Sequence, residues 1–108
     1  MIKDIRHTGI VVDNLEKSFW FYKEKLGFEV FKKMDESGDF IDRILGIQNL
    51  KVTTIKMKLK NSQMIELLDF SSHKKKNVKK FINDIGPTHL AFTVANLDNI
   101  YSDFLQDG

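Results

Sequence analysis

The chain has no cysteine among its 108 residues. Disulfides and thiolate chemistry are excluded with it, and His, Asp and Glu are left as the only strong metal ligands. No apolar run approaches the ~20 residues that a membrane-spanning helix needs. The opening Met1-Ile2-Lys3-Asp4 has no signal-peptide hydrophobic stretch. Neither sign of charge dominates: 17 basic residues face 15 acidic ones, a formal net charge of +2, and no nucleic-acid-binding motif is present. Nucleic acid and membrane are therefore excluded as default partners, and a soluble cytoplasmic chain is expected. What the sequence does have is 42% hydrophobic and 11% aromatic residues, enough to build one core in one domain.

Alternation in residues 5–12 puts Ile5, His7, Gly9 and Val11 on one face of a strand and Thr8, Ile10 and Val12 on the other. Asp13-Asn14 ends that strand and can cap a helix. Leu15, Phe19, Tyr22 and Leu26 then recur at helical spacing as far as Gly27, which predicts a helix over 15–26. A second strand is expected over 28–33. It precedes a short helical turn carrying Phe40, Ile41, Ile44 and Leu45 and ending at Gly46. Ile55, Met57 and Leu59 alternate with Lys56, Lys58 and Lys60, which reads as a third strand with one wet face, near a sheet edge. After a turn at Asn61-Ser62, residues 64–69 return as strand four, with Met64, Glu66 and Leu68 facing one way and Ile65 and Leu67 the other.

A polar linker then leads into a short helix with Val78, Phe81, Ile82 and Ile85, stopped by Gly86 and the one proline, Pro87. Strand five is expected over 88–94, followed by a helix with the apolar face Leu97, Ile100, Tyr101 and Phe104. The expected organisation is thus an α+β domain. It comprises a complete β-α-β-β-β module over 1–70, a linker with a short helix over 71–87, and the start of a second module over 88–108.

The second module is identified by a repeat. His7-Thr8-Gly9-Ile10-Val11-Val12-Asp13-Asn14-Leu15-Glu16 aligns with His89-Leu90-Ala91-Phe92-Thr93-Val94-Ala95-Asn96-Leu97-Asp98, with His, Val, Asn, Leu and an acid in register. So long a period marks a duplicated supersecondary unit rather than a solenoid. Leu90, Phe92 and Val94 form the greasy face of the second copy, so His89 points the other way beside Ala91 and Thr93. His7 has the same arrangement beside Gly9. Each histidine faces a surface lined partly by small residues that leave room for a ligand.

Glu66 is the third candidate, a carboxylate inside the apolar run Gln63-Met64-Ile65-Glu66-Leu67-Leu68. Buried and unpaired it would cost several kcal/mol, so it requires a cation, a histidine or water. Two imidazoles and one carboxylate suit a divalent ion such as Zn, Ni, Co, Mn or Fe. His73 lies in the polar linker and reads as solvated. The run Lys74-Lys75-Lys76 with Lys79 and Lys80 reads as a solvated linker and helix start.

Together His7-Thr8-Gly9-Ile10-Val11-Val12, Leu15-Glu16-Lys17-Ser18, Phe21-Tyr22, Leu26-Gly27-Phe28, Ile65-Glu66-Leu67-Leu68 and Gly86-Pro87-Thr88-His89-Leu90-Ala91-Phe92 resemble the vicinal oxygen chelate superfamily. Its members include glyoxalases, methylmalonyl-CoA epimerases, extradiol dioxygenases and the fosfomycin and bleomycin resistance proteins. The resemblance covers essentially the whole chain. It implies paired β-α-β-β-β modules, the second incomplete here, whose sheets curl around a divalent metal held by His7, Glu66 and His89. The family's fourth ligand, a glutamate on the last strand of the second module, would fall beyond residue 108.

Among the branches the epimerase and glyoxalase types look nearest. The strand-three glutamate that serves epimerases as a base has no counterpart in Val52-Thr53-Thr54-Ile55. The leading expectation is a metal-dependent lyase or isomerase that chelates a small substrate through adjacent oxygens and stabilises the enediolate formed on proton removal. The alternatives are an iron-dependent extradiol-type dioxygenase and a non-catalytic small-molecule-binding protein of the antibiotic-resistance type. An incomplete second sheet leaves strand edges to cover, which leads to the expectation of a homodimer.

Overall fold

The computed structural model describes residues 1–60 and 63–107; the turn expected at Asn61-Ser62 lies outside them. The chain divides into two compact units, Met1–Asn77 and Val78–Gly108.

In the first unit β1 (Thr8–Val11), β2 (Glu29–Ser37), β3 (Lys51–Lys58) and β4 (Met64–Asp69) form one sheet in the order β1-β4-β3-β2. β1 runs parallel to β4, and the other pairings are antiparallel. Between the first two strands lies α1 (Leu15–Trp20), continued by a π-helical turn, Phe21–Lys25. Asn14 caps it, its side-chain oxygen accepting from the Lys17 amide at 3.0 Å. Gly27, at φ 79°, ends it in the left-handed region that favours glycine. The stripe Leu15, Phe19, Tyr22 and Leu26 packs on buried Phe28, Ile55, Met57, Ile65 and Leu67. Met57 and Leu67 are fully buried. Removing side chains of that size from water stabilises the fold by roughly 1.5–3 kcal/mol each.

The opposite face of the sheet is covered at one end only, within this unit, by α2 (Asp39–Leu45), which contributes Ile41 to a second cluster with Leu50, Val52 and Leu68. The Asp42 carboxylate fixes the loop after α2 by accepting from the Asn49 amide at 2.9 Å and the Leu50 amide at 3.0 Å. Gly46, at φ 70°, is the left-handed C-cap. At the other end this face carries His7, Glu66 and their neighbours.

The α+β class and the β-α-β-β-β order of the first module are as the sequence predicts. Three details differ. β1 covers Thr8–Val11 only, so Ile5 and His7 precede the strand expected over 5–12. β3 is an inner strand rather than one near an edge, because its lysine row marks an open face of the sheet, and open face and open edge give the same alternation. β2 extends to Ser37, four residues past its expected end, because its partner β3 already begins at Lys51 and the ladder runs to Ser37↔Lys51.

The second unit departs furthest. Residues 78–85 form no helix: the Asp84 carboxylate accepts from the Phe81 amide at 2.9 Å, closing a local turn that competes with helix hydrogen bonds. Val78, Phe81, Ile82 and Ile85 are exposed, so no packing favours the longer element. Residues 88–94 have no ladder partner among the described residues and are not a strand. Leu90 and Phe92, expected on a greasy face, are 40% and 45% exposed. α3 (Leu97–Asp107) forms as expected, with Leu97, Tyr101 and Phe104 exposed. No helix among the described residues is long and apolar enough to cross a membrane.

Candidate functional site

Ladder register decides which side chains meet on the partly covered face. In-register neighbours share a face, so the parallel pair Gly9↔Glu66 and the antiparallel pair Lys56↔Glu66 place Glu66 between a glycine and a lysine. His7 directly precedes β1, two residues before Gly9, and its Nε2 reaches the same face beside Glu66. The core residues Ile55, Met57, Ile65 and Leu67 point the other way, toward α1.

The Glu66 carboxylate is largely buried, its side chain 14% exposed. One of its oxygens, Oε1, stands 3.6 Å from His7 Nε2, and the other, Oε2, stands 3.9 Å from Lys56 Nζ. Both separations exceed hydrogen-bond length, so the carboxylate has attraction on two sides and close contact on neither. His7 Nδ1 is buried with no hydrogen-bond partner. An unpartnered polar atom of that kind costs about 1–3 kcal/mol. Gly9 keeps the floor between them low: a Cβ there would meet Leu68 Cδ1 at 3.3 Å.

These features fit a divalent ion. Two donors each about 2.1 Å from one ion, at tetrahedral or octahedral angles, stand about 3.0–3.4 Å apart. The His7–Glu66 separation is close to that span, and imidazole with carboxylate is a donor set for Zn, Mn, Fe, Co or Ni. Lys56 lies on the side of the far oxygen, and Oε1 faces the imidazole.

Of the three residues expected to hold a metal, the structure brings His7 and Glu66 together. His89 lies in the second unit, exposed, its Nδ1 3.0 Å from the neighbouring Thr88 hydroxyl. Among the described residues no group of three or more His, Cys, Asp or Glu side chains is gathered so as to hold one ion. His73 is exposed, as the linker position implies, and its Nδ1 meets Ser72 Oγ at 2.7 Å. From the lysine run, Lys74 is bound back onto the first unit through the Asp69 carboxylate and the Asp13 carbonyl. Lys56 is the residue that sequence reasoning passed over. Its signal was present: alternation puts it on the face opposite Ile55 and Met57, and only the β3–β4 register was missing to set it beside Glu66.

Comparison with known proteins agrees with this architecture. The profile of the Glyoxalase/Bleomycin resistance protein/Dioxygenase superfamily matches residues 4–108. The chain is 29% identical over 110 aligned positions to the uncharacterized protein YwkD of Bacillus subtilis, spanning all of this chain and 74% of that one. The crystal structure of a glyoxalase family protein from Bacillus cereus superposes with a TM-score of 0.90 at 22% identity, over 100% of this chain and 74% of its own. The trypanothione-dependent glyoxalase I of Leishmania major gives 0.66 at 23% identity, over 98% of this chain and 67% of its own. At these identities the structural likeness establishes the fold.

Proposed function

Because the chain belongs to the glyoxalase/bleomycin resistance protein/dioxygenase superfamily, we propose that it is a metal-dependent lyase or isomerase of the glyoxalase or epimerase type. His7 and Glu66 hold the divalent ion, with His89, the counterpart of His7 in the repeat, as the third ligand. The observation that carries this reading is the His7–Glu66 pair, the imidazole just before β1 and the carboxylate on β4, with Nε2 and Oε1 3.6 Å apart. The bound ion supplies Lewis-acid polarisation of two adjacent oxygens of a small substrate, which acidifies the neighbouring C–H.

The chain's own residues do the rest. β4 holds the carboxylate on rigid backbone, and the imidazole belongs to the residue that leads directly into its parallel partner β1. Gly9, opposite Glu66, puts no side chain into the space beside the carboxylate. Lys56 stands 3.9 Å from the second carboxylate oxygen, and the first is directed at His7. We also infer a homodimer, supported by the outer edges of β1 and β2, which have no ladder partner among the described residues; light scattering tests it.

The main test is ion content after chelation and equilibrium dialysis against nickel, zinc or manganese. The wild type is expected to take up one ion per chain, and His7→Ala, Glu66→Gln and His89→Ala to lose it together with turnover. Equal ion uptake in wild type and His7→Ala, or none in the wild type, would overturn the reading.

A further inference from the structure

The sheet face that bears Glu66 also sets two lysines against one another. Lys32 and Lys56 stand directly opposite one another in the β2–β3 ladder, and Lys58 follows one pleat along. Like charges placed directly opposite across a ladder repel, so the arrangement weakens the sheet unless something else uses it. A bulge makes it: Val30 pairs with Met57, Phe31 is passed over, and Lys32 takes the place opposite Lys56 that an unbroken ladder would give to Phe31. Bulges re-aim side chains in this way next to functional sites.

The same face carries three carboxylates, Glu29, Glu36 and Glu66, but none of them forms an ion pair with Lys32 among the described residues. Lys58 has Glu29 opposite it and lies over the Phe31 ring, 4.9 Å from its centroid. Lys56 has Glu66, shared with His7. Lys32 has no ion-pair partner among the described residues. If an ion takes Glu66, Lys56 loses its one carboxylate as well.

We propose that this face binds an oxyanion group of the substrate, between Lys32 and Lys56 and beside Glu66. The inference deepens the reading of the same site as an ion-assisted enzyme, and it names the substrate class: a small molecule carrying a carboxylate or phosphate in addition to its chelating oxygens. Paired ammonium groups on adjacent strands suit such a group as two point charges sharing its oxygens.

The test uses inorganic sulfate, titrated calorimetrically into the chelator-treated full chain at low ionic strength. Saturable binding is expected in the wild type, weakened at least tenfold in Lys32→Gln and in Lys56→Gln. It should be unchanged in Lys33→Gln, because Lys33 pairs with Ile55 and so faces the opposite side of the sheet. Glu66→Gln is expected to tighten sulfate binding several-fold, since it removes the carboxylate that competes for Lys56; a merely structural lysine row would show no such gain. Absence of saturable binding, equal binding by a Lys32→Gln/Lys56→Gln double variant, or no gain in Glu66→Gln overturns the proposal. Because the chelated protein is used, failure to take up metal overturns only the ion reading. Metal uptake without sulfate binding overturns only this one.

Discussion

Glu66→Gln separates a carboxylate kept for a ligand from one kept for stability. In the metal-free protein the carboxylate meets its two cationic neighbours at 3.6 and 3.9 Å, longer than a hydrogen bond, with Lys56 itself 22% exposed. Pairs of that quality contribute roughly 0–1 kcal/mol, and the cost of desolvating the charge offsets part of it. Glutamine keeps the shape and removes the charge. The metal-free variant is therefore expected to unfold within about 1 kcal/mol of wild type, equivalent to about 4–8 °C in a domain of this size. An ion that binds only the native state, supplied at a hundred times its dissociation constant, adds about 2.7 kcal/mol. By the same conversion the wild type should gain roughly 10–20 °C on nickel or zinc addition, and Glu66→Gln almost nothing. The assay is thermal unfolding by circular dichroism after chelation, with and without the ion. Two results refute the reasoning: a Glu66→Gln variant that keeps the ion-induced shift, or a metal-free variant destabilised by about 3 kcal/mol or more, which would make Glu66 a structural charge.

Burial lifts the Tyr22 phenol above its ordinary value of about 10, with its ring set edge-on to Phe21 and Phe28 at 5.4 and 5.8 Å. The fold therefore favours the neutral phenol. The resulting contribution to stability is fully present below about pH 10 and lost as pH rises through the native value. The urea midpoint of wild type should hold a constant offset from that of Tyr22→Phe up to about pH 10 and fall relative to it only above that; curves that run parallel throughout refute the assignment. Asp42→Ala leaves the Asn49 and Leu50 amides without their acceptor, and Leu50 is 1% exposed. The expected loss is about 1–3 kcal/mol by urea unfolding, smaller in Asp42→Asn, which keeps one acceptor oxygen. Equal loss in the two variants would show that the carboxylate's hydrogen bonds are not what the loop needs.

Local signals made the first unit legible. Asn14 and Gly27 bound the first helix because capping depends on a few adjacent residues, and Leu15, Phe19, Tyr22 and Leu26 describe the face that meets the core. The π-helical turn at Phe21–Lys25 left the stripe intact, which is why spacing alone did not reveal it. Residues 88–94 show the opposite case. Their alternation is as clear as that of residues 5–12, but a strand exists only against a neighbour, and alternation says nothing about whether a neighbour is there. The short helix expected over 78–85 failed for a related reason: its apolar residues have no surface to bury on, and the Asp84 side chain satisfies the backbone locally.

His7 and Glu66 could be singled out one by one, but not as neighbours. A buried carboxylate needs a cation, and that argument singles out Glu66 without saying which cation answers it. The answer lies in register, a non-local quantity: the parallel pair Gly9↔Glu66 sets the diagonal that brings in His7, the antiparallel pair Lys56↔Glu66 brings in the ammonium, and one bulged residue brings Lys32 opposite Lys56. A consequence follows for how the site works. One carboxylate stands between an imidazole and a lysine, so in the proposed enzyme an ion beside His7 would draw Glu66 from Lys56 and leave that ammonium to an anion. By linkage the anion must then favour the ion by the same factor, and a substrate carrying both chelating oxygens and an oxyanion group is the ligand that uses both halves of the coupling.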